Sequence, residues 1–136
     1  MSDSAPTPTQ ACLQALRLCL GAETQLEFAA LVGSRATGQA HAASDWDIAL
    51  QWSPTLDWLT VLANTETLRR KLALVLAVNP MAIDLIELRR ANLAMRACVA
   101  EDGLLLHGGE SLAWPQFLRR TWRELEDFYW EKQHAA

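Results

Sequence analysis

Two short apolar segments most constrain the fold, because each has the length and pattern of a β-strand. Leu26 to Val32 is a compact apolar run that ends at Gly33-Ser34, which is typical of a buried strand entering a turn. Trp46 to Trp52 alternates with a period of two, as a strand does when its two faces differ. Residues 38–44 between them are small and polar, which favours a loop. We predict two strands here, each with polar residues next to one end.

Helical patterns occupy much of the remaining sequence. Leucine spacing predicts a helix over 11–20, and a long apolar pattern after Ser53-Pro54 predicts one long helix or two, ending before Asn79-Pro80. We then predict a strand over 81–88 and a helix over 89–102. A short strand or turn follows over 104–106, and a last helix over 110–132 has Pro115 in its first turn. This pattern predicts an α/β (α+β) fold in which a small mixed sheet of three to four strands is flanked by helices.

Composition narrows the class of protein. The chain has 136 residues, of which 51% are hydrophobic, and this suits a single domain over residues 11–136 behind a flexible leader over 1–10. A net charge of −4 argues against a protein that grips long nucleic acids. No run approaches the roughly 20 apolar residues of a membrane span, and the three cysteines fit no metal-ligand spacing. We therefore expect a cytoplasmic protein.

The residues that follow the first strand are suited to binding phosphate. Gly33 lets another group approach the backbone closely, and Ser34 offers a hydroxyl and an amide. A turn that leads into a helix start presents N–H groups that suit phosphate oxygens. Arg35 adds a planar fork of donors that matches phosphate, and a surface ion pair is an equally good interpretation of this residue. We predict a nucleotide-binding turn at Gly33, Ser34 and Arg35.

Three acidic residues lie where a metal site can form. Asp45 and Asp47 are separated by one residue at the start of the second strand, so their side chains point to the same face. Asp84 lies in an otherwise apolar strand, where we expect a buried carboxylate that is not there for packing. Carboxylates attract Mg²⁺, which completes its shell with water and substrate phosphates. Three such acids on adjacent strands beside a phosphate-binding turn predict a two-metal phosphoryl-transfer site.

These residues resemble a known signature. Gly33-Ser34, ten residues and then Asp45-x-Asp47 is similar to the signature of the polymerase-beta-type nucleotidyltransferase superfamily, with Asp84 at the place of the third acid. The stretches GSRATG and SDWDIAL, in so short a chain, most resemble the minimal nucleotidyltransferases. Among these, they look like the MntA-type antitoxins that pair with HEPN-domain HepT toxins.

The resemblance implies a role for each matching residue. Gly33 and Ser34 would hold the triphosphate of ATP, while Asp45 and Asp47 would ligate two Mg²⁺ ions. Asp84 would ligate one ion and help to deprotonate the acceptor hydroxyl. In MntA-type proteins that acceptor is a tyrosine of the partner toxin ribonuclease, which receives AMP and is thereby neutralised.

The size of the chain bears on the choice between related functions. Larger enzymes of this kind use additional domains to close over the nucleotide and the acceptor, so here a second protein is expected to supply the missing wall. The last helix carries an apolar stripe (Trp114, Leu118, Trp122, Leu125, Tyr129) that fits either core cover or partner binding. Two other functions stay open: a non-catalytic antitoxin that masks the toxin by binding, and nucleotidyl transfer to a small molecule.

Overall fold

The computed structural model describes residues 10–40 and 44–135. The predicted leader therefore lies outside the described residues apart from Gln10, which begins the first helix, and residues 41–43 of the predicted loop lie outside them too. The helices are α1 (Gln10–Gly21), α2 (Ser34–Thr37), α3 (Trp58–Leu76), α4 (Leu93–Asp102) and α5 (Ala113–His134). The strands are β1 (Leu26–Val32), β2 (Trp46–Trp52), β3 (Ile83–Glu87) and β4 (Leu104–His107).

The four strands form one mixed sheet in the order β3-β2-β1-β4. β1 runs antiparallel to β2 and to β4, whereas β2 and β3 are parallel. Because parallel neighbours need a crossover, α3 spans the connection from β2 to β3. The end of β1 at Val32 and the starts of β2 and β3 thereby meet at one edge, which we call the Val32 end of the sheet. The predicted fold class is confirmed.

Helices cover both faces of the sheet. The larger core cluster lies on the face of α1 and α3, where Leu16, Leu68 and Leu72 pack against strand residues such as Ile48 and Trp52. The second cluster lies on the face of α4 and α5 and is built around Phe28, Val99 and Phe117. Burial on both faces explains why β1 is almost continuously apolar. β2 is buried on both faces as well, although its sequence alternates, and the predicted bounds of both strands match the structure.

The start of α3 is a correction to the sequence analysis. Ser53-Pro54 does not begin the helix, because Ser53 heads a turn in which its carbonyl accepts from the Leu56 amide. The helix begins at Trp58, and the side chain of Asp57 caps it by accepting from the Thr60 amide at 2.8 Å. From there to Leu76 it is a single helix.

Short 3₁₀ turns shorten two other predicted elements. β3 is flanked by turns at Pro80–Ala82 and Leu88–Arg90, so it is shorter than the predicted 81–88. The helix predicted over 89–102 begins only at Leu93, where the side chain of Asn92 caps it by accepting from the Met95 amide. The segment left open as a strand or a turn is the strand β4, which pairs with β1.

The last helix packs along only part of its length. The ring of Trp114 stacks on Phe117 with centroids 5.6 Å apart, and both contact Phe28 of β1. Beyond Thr121 no described residue of α5 is fully buried, and Phe128, Tyr129 and Trp130 are 49%, 58% and 61% exposed. The predicted stripe therefore covers the core only in its first half.

Within the described ranges, no helix is long and apolar enough to cross a membrane. Cys12 and Cys19 are partly buried against the core, whereas Cys98 is exposed.

Candidate active site

The turn after β1 is shaped by a glycine. Gly33 has φ of 75°, a conformation that L side chains rarely adopt, and it immediately precedes α2. Its carbonyl accepts from the amides of Ala36 and Thr37, which closes the first turn of the helix. A Cβ atom at this position would overlap the carboxylate of Asp47. Both the backbone conformation and the lack of space therefore require glycine at position 33, and the turn lies directly against Asp47.

Asp47 and Asp84 lie side by side. In the parallel pair of β2 and β3, Asp47 is the register partner of Asp84, and on its other side it is opposite Val32 of β1. Register partners on parallel strands direct their side chains to the same face. That face is the one covered by α4 and α5, because the alternate residues Ile48 and Leu85 belong to the core cluster under α1 and α3. Asp45 precedes β2 and shares the alternation of Asp47.

The electrostatics of Asp47 reflect this crowding. Partial burial raises the pKa of the Asp47 carboxyl above its ordinary value of 3.8, and the charges of Asp84 and Asp45 raise it further. Each contribution disfavours the ionised form of a carboxyl that has two other acids nearby. A divalent cation at this position would reverse the effect, since it lowers the energy of all three carboxylates at once.

Exposure differs among the three acids. Asp47 is half-buried, whereas Asp45 and Asp84 are exposed. The expectation that Asp84 is buried is therefore wrong: it is the second residue of β3, a strand at the edge of the sheet. Among the residues that the structure describes, no group of three or more His, Cys, Asp or Glu side chains is arranged to hold a metal ion. The two-metal site accordingly stays a prediction, supported by the common face of the acids.

The two remaining predicted residues differ in their surroundings. Ser34 is the first residue of α2, next to the Gly33 turn, so its amide belongs to the first turn, where N–H groups have no partner within the helix. Arg35 points instead along the connection to β2. Its guanidinium donates to the Ser44 carbonyl from Nη2 at 2.8 Å and from Nε at 3.3 Å, and it lies 4.2 Å from the centroid of the Trp46 ring. A phosphate contact by Arg35 stays a prediction.

Arg69 supports the start of β3, a role that the sequence analysis missed. Its Nη1 donates to the carbonyl of Ile83, the residue directly before Asp84, while its guanidinium also pairs with Glu66. β3 is an edge strand, so some of its peptide groups have no neighbouring strand. In the sequence Arg69 belongs to a basic run whose members look alike, and nothing there separates it from the exposed Arg70.

Glu87 plays the matching part at the other end of β3. Its carboxylate accepts from the Trp52 amide at 3.0 Å and from the Arg89 amide at 2.7 Å, which joins the ends of β2 and β3. With Arg69 at one end and Glu87 at the other, the register that places Asp84 beside Asp47 is held on both sides.

A broad cleft of about 970 Å³ lies away from these acids, at the opposite end of β1. Its lining includes Glu23, Glu27, His107 and Glu110. Gly33, Asp45, Asp47 and Asp84 do not line it. The open surface around the acids, and not this cleft, is the site that the sequence motif marks.

The fold and a match to a family model identify the class of protein as a nucleotidyltransferase. Residues 14–110 match the family described as polymerase beta, nucleotidyltransferase, and the chain belongs to that family. Within it, the chain is 30% identical over 124 residues to the protein adenylyltransferase MntA of Aphanizomenon flos-aquae (strain 2012/KM1/D3), across 89% of this chain and 82% of that protein. The predicted superfamily and the similarity to MntA-type proteins are confirmed.

Two solved structures extend the comparison. The chain resembles one from a crystal structure of a toxin–antitoxin with AMP-PNP, with a TM-score of 0.69 and 27% identity over 89% of this chain and 92% of that one. It also resembles a chain from the complex of tri-AMPylated Shewanella oneidensis HEPN toxin with MNT antitoxin. That match has a TM-score of 0.64 and 25% identity, covering 91% of this chain and 92% of the other.

Proposed function

We propose that this chain is a cytoplasmic antitoxin that transfers AMP from ATP to a tyrosine hydroxyl of a partner HEPN toxin ribonuclease. The transfer neutralises the toxin. The observation that carries the proposal is the pairing of Asp47 with Asp84 beside the Gly33 turn. AMP transfer and a HEPN toxin as partner are supported by two similar proteins, the adenylyltransferase MntA and the MNT antitoxin in the complex with AMPylated HEPN toxin.

The acids at the Val32 end of the sheet fit divalent cations. All three supply hard carboxylate oxygens, the ligand type that Mg²⁺ prefers. The raised pKa of Asp47, caused by burial and then by Asp84 and Asp45, is what an arrangement that lacks its counter-charge should show. Asp45 and Asp47 would hold two Mg²⁺ ions, with Asp84 on one of them. When bound, the ions would neutralise charge on the phosphates that develops during transfer.

The chain's own residues orient the nucleotide and move a proton. The amides of Gly33 and Ser34, at the start of α2, donate to phosphate oxygens and hold the triphosphate against the sheet. Asp84 takes the proton of the acceptor hydroxyl. The acceptor oxygen then forms a bond to the α-phosphorus. The bond from the α-phosphorus to the bridging oxygen breaks, and pyrophosphate leaves with that electron pair.

Intact-mass measurement of the toxin tests the proposal. The purified chain, a HEPN toxin that forms a complex with it, ATP and Mg²⁺ are mixed, and the toxin should gain one or more AMP masses. Asp47→Asn and Asp84→Asn should reduce the rate by at least about 100-fold, since the first removes a cation ligand and the second removes the group that takes the acceptor proton. Glu110→Gln is the matched control, because Glu110 is an exposed acid at the opposite end of the sheet and should leave transfer unchanged.

The masking alternative gives a different result. A chain that carries both Asp45→Asn and Asp47→Asn would bind the toxin and neutralise it fully, with no change in toxin mass. If the wild-type chain adds no AMP and this double variant protects as well as wild type, the enzymatic proposal is wrong. Transfer to free small hydroxyl compounds in place of the toxin would favour the small-molecule alternative.

A further inference from the structure

Arg35 contacts the residues on either side of Asp45. Two of its nitrogens donate to the carbonyl of Ser44, and its guanidinium lies over the ring of Trp46 at 4.2 Å. Trp46 is only 5% exposed, so this ring is a fixed surface. Asp45 is thereby bracketed by two residues that the same side chain holds.

Asp45 needs such support because the sheet does not provide it. β2 begins at Trp46, so Asp45 lies outside the strand, and its side chain is exposed. Asp47, by contrast, has strand neighbours on both sides. A planar guanidinium can donate through two nitrogens to one acceptor and stack on a ring at the same time, which fixes a backbone more firmly than a single contact.

We infer that Arg35 is a positioning residue for Asp45: by holding Ser44 and Trp46, it keeps the Asp45 carboxylate next to Asp47. The inference rests on the proposed function in treating Asp45 as a ligand of a divalent cation. It also gives α2 a second role, because this helix contains both Ser34 of the proposed phosphate-binding turn and Arg35, which holds the residues on either side of Asp45.

A positioning role and a phosphate contact predict different behaviour of Arg35→Lys. Lysine keeps the positive charge, so it would still attract a phosphate group. It cannot reproduce the planar fork on Ser44 together with the stack on Trp46. A third role, simple charge compensation, predicts that Arg35→Met binds cations more tightly than wild type, because a nearby positive charge has been removed.

Binding of Mn²⁺ alone, with no nucleotide, separates these roles, since no phosphate is then present. The free Mn²⁺ signal in electron paramagnetic resonance gives the dissociation constant for wild type, Arg35→Lys and Arg35→Met. We expect both variants to bind Mn²⁺ about 10-fold more weakly, the effect of losing a residue that orients a metal ligand. Arg90→Lys is the matched control, because Arg90 forms a similar stack, 3.7 Å from the Trp58 ring, beyond the opposite end of β3. Thermal melting of each variant establishes that it is folded.

Every outcome of this series decides the inference. Weaker Mn²⁺ binding in both Arg35 variants, with Arg90→Lys like wild type, supports it. Wild-type binding by Arg35→Lys, tighter binding by Arg35→Met, an equal loss in Arg90→Lys, or no binding by the wild-type chain would each overturn it. The toxin mass assay is run in parallel: if the Mn²⁺ series behaves as expected but no AMP is transferred, the proposed function fails while the role of Arg35 stands.

Discussion

Asp47 of β2 and Asp84 of β3 are register partners across a parallel strand pair. The α3 crossover separates them in sequence, yet they share one face and one end of the sheet. Two carboxylates held this close repel each other, and a folded chain tolerates this at a cost to stability. The pairing of Asp47 with Asp84 therefore lowers the free energy of unfolding in the absence of cations, which leads to the first prediction.

Asp47→Asn should stabilise the protein in the absence of divalent cations. A folded-state pKa raised above the ordinary 3.8 means that ionising Asp47 costs free energy in the folded state. The cost is absent well below pH 3.8, grows as the pH rises from 3.8 to the raised pKa, and is constant above that pKa. At pH 7 we expect the melting temperature of Asp47→Asn to exceed that of wild type, and the difference to vanish in acid.

Adding Mg²⁺ provides the second half of this measurement. Calorimetry should show that Mg²⁺ raises the melting temperature of wild type and leaves Asp47→Asn almost unchanged, because a ligand stabilises only a state that binds it. Asp127→Asn removes an exposed acid of α5 and serves as the control. A lower melting temperature for Asp47→Asn at neutral pH without metal would contradict the argument.

Gly33→Ala should damage both the turn and the acid beside it. The backbone of Gly33, with φ of 75° and ψ of −158°, costs an L residue about 1–3 kcal/mol, and the new methyl group would push the Asp47 carboxylate away. A displacement of this kind can slow transfer by about 100-fold. Gly21→Ala is the control, because a Cβ there meets nothing within 4 Å. Denaturant unfolding and the toxin mass assay report the two effects, and wild-type values in both would refute the geometry.

Arg69→Met should weaken the start of β3. Loss of the bond to the Ile83 carbonyl is expected to cost about 1.5–3 kcal/mol of unfolding free energy, the range for a hydrogen bond from a charged group. Transfer should slow as well, since Asp84 follows Ile83 directly. Arg70→Met removes an exposed arginine at the next position and should change neither quantity. Hydrogen exchange at the amides of residues 83–87 would localise the change, and equal effects of the two variants would refute it.

The two halves of α5 should contribute differently to stability. Phe117→Ala removes a ring that is 1% exposed between Phe28 and Trp114, and should cost about 3–5 kcal/mol. Trp130 is 61% exposed, so Trp130→Ala should change the unfolding free energy by less than about 0.5 kcal/mol. Denaturant unfolding of the two variants decides the point. A large loss for Trp130→Ala would mean that the end of α5 packs on the domain.

Apolar pattern was the most informative sequence signal. β1 and β2 are buried on both faces, so their sequences leave little doubt about where each strand begins and ends. β3 was harder, because the 3₁₀ turn before it is apolar and Leu88, the first residue of the turn after it, also continues the apolar run. The start of α3 was misplaced for another reason, because Ser53 and Asp57 can both cap a helix. In the structure the Ser53 hydroxyl accepts from the Thr55 amide in a turn, and Asp57 caps the helix.

The site motif was predictable from spacing, whereas its supports were not. Gly33, Asp45 and Asp47 lie in one segment whose spacing resembles a family signature, so they could be named together. The bonds from Arg35 to Ser44 and from Arg69 to Ile83 end on backbone carbonyls, which every residue possesses. A single sequence therefore does not show which carbonyl a side chain will bind, and only the folded structure shows it.

The position of β3 at the margin of the sheet has a consequence for the acceptor. An aspartate on a central strand has a neighbouring strand on each side, so another molecule can reach its carboxylate only from above the sheet. Asp84 has a strand on one flank alone, and its carboxylate is open to solvent. A large acceptor can therefore approach Asp84 from the open side of β3, as the proposed transfer to a folded toxin requires.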